Sequence, residues 1–287
     1  MSAKTRPMTS VSALLKAAVI AVATFAVTAP ALAAGPAHTP HREDWSWSGP
    51  FGHFDRGQLQ RGFKVYREVC ASCHGIKLVA FRNLMEDGGP EFSEGQIRLL
   101  ASEYQVQDGP DESGEMFDRP GRLSDRFPSP FPNEQAARAA QGGAYPPDLS
   151  LIAKARTYTR GFWLSLLDLV TQYQEHGADY LHAVLVGYGQ PVPADAHAQP
   201  GLHYNPYFPG GWIAMPNPLS DGQVEYTDGT PATVDQYSRD VTAFLAWTAE
   251  PHLEARKQLG FVVFIFLFVF AGLLYFTKKK VWSNVAH

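Results

Sequence analysis

The chain has 287 residues, 45% of them hydrophobic, with 24 lysines and arginines against 28 aspartates and glutamates and a net charge of −4. That length holds one large domain or two small ones, and the hydrophobic content excludes a disordered chain. Three basic residues lie before residue 35 and three after residue 258, so the segment between carries 18 basic and all 28 acidic side chains, which argues against nucleic acid as a partner and suits a basic protein.

Residues 1–33 read as a secretory signal: Lys4 and Arg6 give a basic start, Leu14 to Val27 is mostly apolar, and Ala31-Leu32-Ala33 is a small-residue cleavage site. Gly35 to Pro50 is a polar arm bearing Trp45 and Trp47, expected as an irregular segment on the surface. Asp55 to Cys70 predicts a helix, with Asp55 and Gln58 as a capping box and Leu59, Phe63, Tyr66 and Val69 on one face. Lys77 to Leu84 is short and mixed. Glu86 to Asp118 holds ten acids and one base, Arg98, around an amphipathic turn at Ile97 to Tyr104. Asn133 caps a short helix through Ala140, and Gly142 to Ser150 is a turn-forming run.

Ile152 to Tyr173 is helical in period, and Tyr180 to Val186 predicts another short helix. Gly187 to Asn217 is rich in glycine, proline and aromatics, with Tyr204, Tyr207, Phe208 and Trp212 available to wall an apolar cavity. Thr230 to Ala249 predicts the last helix of the domain: Pro231 suits a first turn, and Thr233 with Gln236 suits a cap. Leu259 to Phe276 is uncharged and about 27 Å long as a helix, close to a bilayer's hydrocarbon thickness. Lys278, Lys279 and Lys280 follow it and place the carboxyl terminus in the cytoplasm. The order expected is signal 1–33, exported domain 34–258, membrane anchor 259–277 and cytoplasmic tail 278–287. No strand pattern and no internal repeat stand out.

Both cysteines of the chain lie in Val69-Cys70-Ala71-Ser72-Cys73-His74-Gly75. Cys-x-x-Cys-His is the attachment pattern of a c-type haem: two thiols add to the porphyrin vinyls and the imidazole becomes an iron ligand. The competing readings are a structural disulfide, half of a zinc site, which would need two further ligands with no second cysteine pair to supply them, and a thioredoxin-like pair, which does not require His74. The exported segment offers Met85, Met116 and Met215 for the opposite face of the iron. Met215, in Ile-Ala-Met-Pro within the aromatic loop, stands where class I c-type cytochromes place that ligand, and a thioether there raises the potential. No phosphate loop, nucleophile elbow or zinc-protease motif competes.

The Cys70–His74 motif, Gln107-Asp108-Gly109-Pro110, Gly114-Glu115-Met116-Phe117, Arg119-Pro120-Gly121, Tyr145 to Ser150, Asn205 to Gly210, Met215-Pro216, Asp228 to Thr233 and Ala249-Glu250-Pro251 together resemble the cytochrome c1 family from about Trp45 onward. The resemblance implies a mostly α, class I cytochrome c-like domain with long loops and one carboxyl-terminal transmembrane helix, tethered to the bacterial inner membrane with its haem domain in the periplasm. It implies one covalent haem c on Cys70, Cys73 and His74, with Met215 as second axial ligand and Arg156 and Tyr180 at a propionate or the pocket wall. It also implies cytochrome b, a Rieske iron-sulfur protein and a soluble basic cytochrome c as partners, membrane lipid as surroundings, and one-electron transfer with no bond chemistry at this subunit. The rivals are a tethered cytochrome serving a terminal oxidase and an exported thiol-disulfide oxidoreductase. Two departures stand out. Thr157 to Gly177 resembles an inserted helix where the family has a short connection. With both cysteines committed, no disulfide is left for Pro191 to Asn217, which is expected to be held by packing alone.

Overall fold

Two helices far apart in sequence cross at the centre of the domain: α1 (Arg56–Glu68) and α7 (Val234–Ala249). A computed structural model describes residues 38–194 and 197–284, so the signal reading of residues 1–33 lies outside the described residues. The crossing is close because Gly62 has no side chain. A Cβ there would sit 2.0 Å from the Asp240 carbonyl oxygen, and no larger residue fits. Around the contact, Phe63 and Tyr66 pack on Phe244 with ring centroids 5.5 and 5.8 Å apart, and Leu59, Val65, Tyr237 and Trp247 are buried with them. Asp240 is fully buried yet satisfied, accepting from Arg61 at 3.0 Å, Tyr226 at 2.8 Å and Gln236 at 2.8 Å.

Both helices start where side chains cap them. Asp55 accepts from Gln58 N and Thr233 from Gln236 N, so Thr233 is the cap of α7 and Pro231 precedes the helix. Between them long loops are punctuated by α-helices: α2 (Glu94–Ser102), α3 (Glu134–Ala140), α4 (Ile152–Ala155), α5 (Phe162–Thr171) and α6 (His176–Val186). Ser93 caps α2 and Asn133 caps α3. Helix α6 packs beneath α7 and α4. Its Gly177 lies against α4, where a Cβ would come within 1.7 Å of the Ala153 carbonyl oxygen.

Four expectations are corrected. The single helix over Ile152 to Tyr173 is broken after Ala155, because Arg156 is extended and Gly161 takes φ +79°, a conformation glycine reaches without strain. Strands exist: β1 (Gln105–Asp108) pairs antiparallel with β2 (Phe117–Pro120), and β3 (His203–Tyr204) with β4 (Trp212–Ile213). From residue 38 the amino-terminal arm is irregular, but its tryptophans are core residues: Trp45 and Trp47 stack at 4.8 Å and are 5% and 3% exposed. The loop before Met215 is held by more than packing. Asn205, fully buried, donates to Val184 O at 2.7 Å and accepts from Tyr207 N at 3.1 Å.

The last helix, α8 (Leu253–Val281), has 29 residues and contains an 18-residue apolar window of which none is buried. It starts before the apolar run, and that first part is tied to the domain. Lys257 Nζ donates to Trp47 O at 2.6 Å and Gly52 O at 3.1 Å, and Glu254 accepts from Phe54 N at 2.8 Å. The window is long and apolar enough to cross a bilayer, and the turns of α8 that precede it are docked on the domain.

Candidate cofactor site

Cys70–Ser72 forms a 3-10 turn that continues from the end of α1, and the backbone N–H groups of Cys73 and His74 both donate to Cys70 O, at 3.1 and 2.9 Å. One tight turn thus carries both thiols and the imidazole. Tyr66, a turn earlier on α1, donates its hydroxyl to His74 O at 3.0 Å. His74 Nδ1 lies 2.7 Å from Pro147 O. A carbonyl only accepts, so Nδ1 carries the proton and Nε2 keeps its lone pair. The segment that supplies this carbonyl is itself pinned: Leu149 N donates to Gly75 O at 2.8 Å, Lys77 N to Asp148 Oδ2 at 2.9 Å and Leu78 N to Ser150 Oγ at 3.1 Å. Burial lowers the His74 pKa, opposed by the Pro147 bond and Asp148, so the ring is neutral and suited to bind metal.

Cys70 and Cys73 are both free thiols. Burial, with the neighbouring Cys73 charge, pushes the Cys70 thiol up to about 12. A thiol-disulfide enzyme works through a thiolate near neutral pH, and this environment disfavours the thiolate of Cys70. Among the described residues no group of three or more His, Cys, Asp or Glu could hold a metal ion by itself.

The three methionines occupy different surroundings. Met116 is exposed beside the β1–β2 hairpin, and Met85 packs against the main core. Met215 packs against a second apolar cluster of Tyr158, Tyr180, Val184 and Ile213, joined by Leu181, Tyr188, Tyr207 and Phe208. Tyr188 donates its hydroxyl to Met215 O at 2.9 Å. Leu181 packs on both clusters and so links the two sides. Tyr180 is buried; desolvation raises its phenol pKa and Arg156 pulls it back, so the two residues are brought together. Arg156 is exposed at the carboxyl-terminal end of α4.

Comparison with known proteins gives this arrangement a relationship. The Cytochrome C1 family profile matches residues 45–285. The chain belongs to the cytochrome c1 family. It is 64% identical to "Cytochrome b/c1" of Bradyrhizobium diazoefficiens over 85% of this chain, which spans only 36% of that longer protein. It is 48% identical to "Cytochrome c1" of Blastochloris viridis, covering 91% of this chain and 92% of the relative, and 46% identical to "Cytochrome c1, heme protein, mitochondrial" of Saccharomyces cerevisiae, covering 84% and 71%. Membership implies a haem, a role in electron transfer and a membrane-anchored subunit of the cytochrome bc1 type.

The donors present fit a haem: two unpaired thiols, an imidazole whose outer nitrogen is already bonded, and a thioether on an aromatic loop. Two further residues support this cytochrome c1 site, and neither was given a role from the sequence. Asn205 fastens the methionine loop. Asp179, fully buried next to Tyr180, accepts from Glu43 N at 3.1 Å, Trp45 Nε1 at 2.9 Å, Tyr158 at 3.0 Å and Tyr173 at 2.7 Å, which fixes α6 beneath the second cluster. The sequence signal for it is weak: one acid on an apolar helix, with partners that are mostly distant.

The acidic stretch is partly neutralised. Glu103 pairs with Arg67 at 2.5 Å, Asp108 pairs with Arg119, and Asp111 is used within its own turn by Ser113 and Glu115 N. Glu112, Glu115 and Asp118 remain exposed.

Proposed function

We propose that one haem c is held through thioethers on Cys70 and Cys73 with His74 and Met215 as axial ligands, and that the protein passes single electrons from a Rieske iron-sulfur protein to a soluble basic cytochrome c. The observation that carries the reading is the Pro147–His74 bond, which leaves Nε2 free beside two unpaired thiols. The haem, when bound, supplies the one-electron iron couple. His74 is oriented by Pro147 and Tyr66. Tyr158, Tyr180 and Ile213 exclude water on the Met215 side. Arg156 is the propionate partner: it has no carboxylate partner among the described residues, and an arginine fork suits that group. Glu112, Glu115 and Asp118 steer the basic acceptor.

In this reading residues 34–258 lie in the periplasm, 259–277 cross the inner membrane and 278–287 are cytoplasmic, with quinol oxidation left to cytochrome b. The test is to solubilise the membranes in detergent and purify the chain by a carboxyl-terminal tag. Cytochrome b and a Rieske protein should co-purify, and quinol should drive reduction of added cytochrome c. Purification with a terminal oxidase instead would contradict the assignment.

A further inference from the structure

Helix α5 is inside out for a surface facing water. Its one acid, Asp168, is turned inward and 5% exposed, where Arg160 donates to it at 2.7 Å and His176 Nε2 lies 3.4 Å away. Its large apolar side chains face out: Phe162 is 74% exposed, Trp163 77%, Leu169 68% and Val170 74%, and Leu164, Leu166 and Leu167 are exposed as well. At 3.6 residues per turn these positions sweep an arc of about 220° that contains no charge.

Two observations say what covers that arc. One is position. Gln172 and Gln174, just past the end of α5, line a cavity of about 250 Å³ together with Phe51, Phe261 and Phe264. On α8 that lining extends from Leu253, Arg256 and Lys257 through Gly260 to Phe264, five residues beyond Leu259 where the apolar run begins, so the end of α5 sits beside the first ~8 Å of that run and the turn before it. An amphipathic helix at a membrane surface buries its apolar face about 5–10 Å deep. Phe51, 80% exposed, also reaches this level, its ring 6.1 Å from that of Phe261. The other observation is shape. A helix packed on a protein surface buries a stripe of roughly 100°. Fluid acyl chains wrap an arc twice as wide, and an exposed tryptophan suits the interface.

We propose that α5 lies in the leaflet next to the domain, its apolar arc immersed at the boundary of headgroups and acyl chains. The domain then rests on the bilayer at two places, α5 and the foot of α8, and its tilt over the membrane is set by both. This inference depends on α8 spanning the membrane and is independent of the haem ligands.

The full chain, matured with its haem, is placed in phosphatidylcholine nanodiscs with a nitroxide on Leu166→Cys, and collisions with oxygen and with a water-soluble nickel chelate are measured. Labels on Phe264→Cys and Glu112→Cys mark lipid and water, and the unsubstituted chain serves as the blank for Cys70 and Cys73. The oxygen-to-nickel ratio at 166 should be several-fold above that at 112 and approach that at 264. A ratio equal to that at 112 overturns the proposal. Low collision with both reagents overturns it too, because the helix is then covered by protein.

Discussion

The two sides of the candidate haem site are built to different standards. The His74 side is part of the main core: the turn of Cys70 to His74 continues from α1, Tyr66 grips it, and the Pro147 carbonyl that orients the ring is pinned by bonds at Gly75, Lys77 and Leu78. The Met215 side hangs on a loop that rests on a small second cluster and is fastened by Asn205, Tyr188 and the short β3–β4 pair, two residues in each strand. Damage on the first side should therefore be read as lost stability or lost attachment. Damage on the second should be read first in the potential.

The largest effect expected is that of Met215→Leu. It should lower the midpoint potential by hundreds of millivolts, within the ~0.8 V over which axial ligands set haem potentials, while leaving the haem attached. A redox titration giving the parent potential would remove Met215 from the site. On the opposite side, Gly62→Ala drives a methyl into the Asp240 carbonyl and should cost about 1–3 kcal/mol, seen as a lower denaturation midpoint. Asn205→Ala leaves Val184 O without its donor in a buried place and should also cost about 1–3 kcal/mol. If the comparison is right, Asn205→Ala also shifts the potential and Gly62→Ala does not.

His182 on α6 faces Ser238 and Trp45, with Glu43, Asp235 and Arg239 nearby, and burial holds its pKa below the ordinary 6.5. The unfolded chain takes up that proton first, so stability falls as pH drops from about 6.5 toward the folded-state value. Melting temperature against pH should show this slope, and His182→Gln should flatten it. Parallel curves for parent and variant would show that another group is responsible. The smallest effect is at the exposed acids: neutralising Glu112, Glu115 and Asp118 together should weaken the salt dependence of cytochrome c reduction and leave the potential alone. An unchanged salt dependence would make that loop plain solvated surface.

What was legible in the sequence was local. Asp55, Asn133 and Thr233 announce helix starts because a cap acts over three residues. The Cys70–His74 motif is legible because two thiols and an imidazole must reach one ring. The break between α4 and α5 was hidden, since Phe162, Leu166 and Leu169 keep a helical period while the positive φ of Gly161 ends any continuity. Strand β1, Gln-Val-Gln-Asp, is too short and too polar to show alternation against core. The burial of Trp45 and the part played by Asp179 were hidden for another reason: the bond joining them spans 134 residues of sequence. Sequence context favours Met215 among the three methionines, but that Met116 is exposed and Met85 packs on the main core is set by the fold.

The measurement that bears most directly on the account is the mass of the denatured chain, followed by that of the peptide carrying Cys70 to His74. The account predicts that one haem survives denaturation on that peptide, with both sulfurs blocked to alkylation. A peptide of unmodified mass whose two thiols alkylate freely, from protein matured in its own membrane, would contradict it.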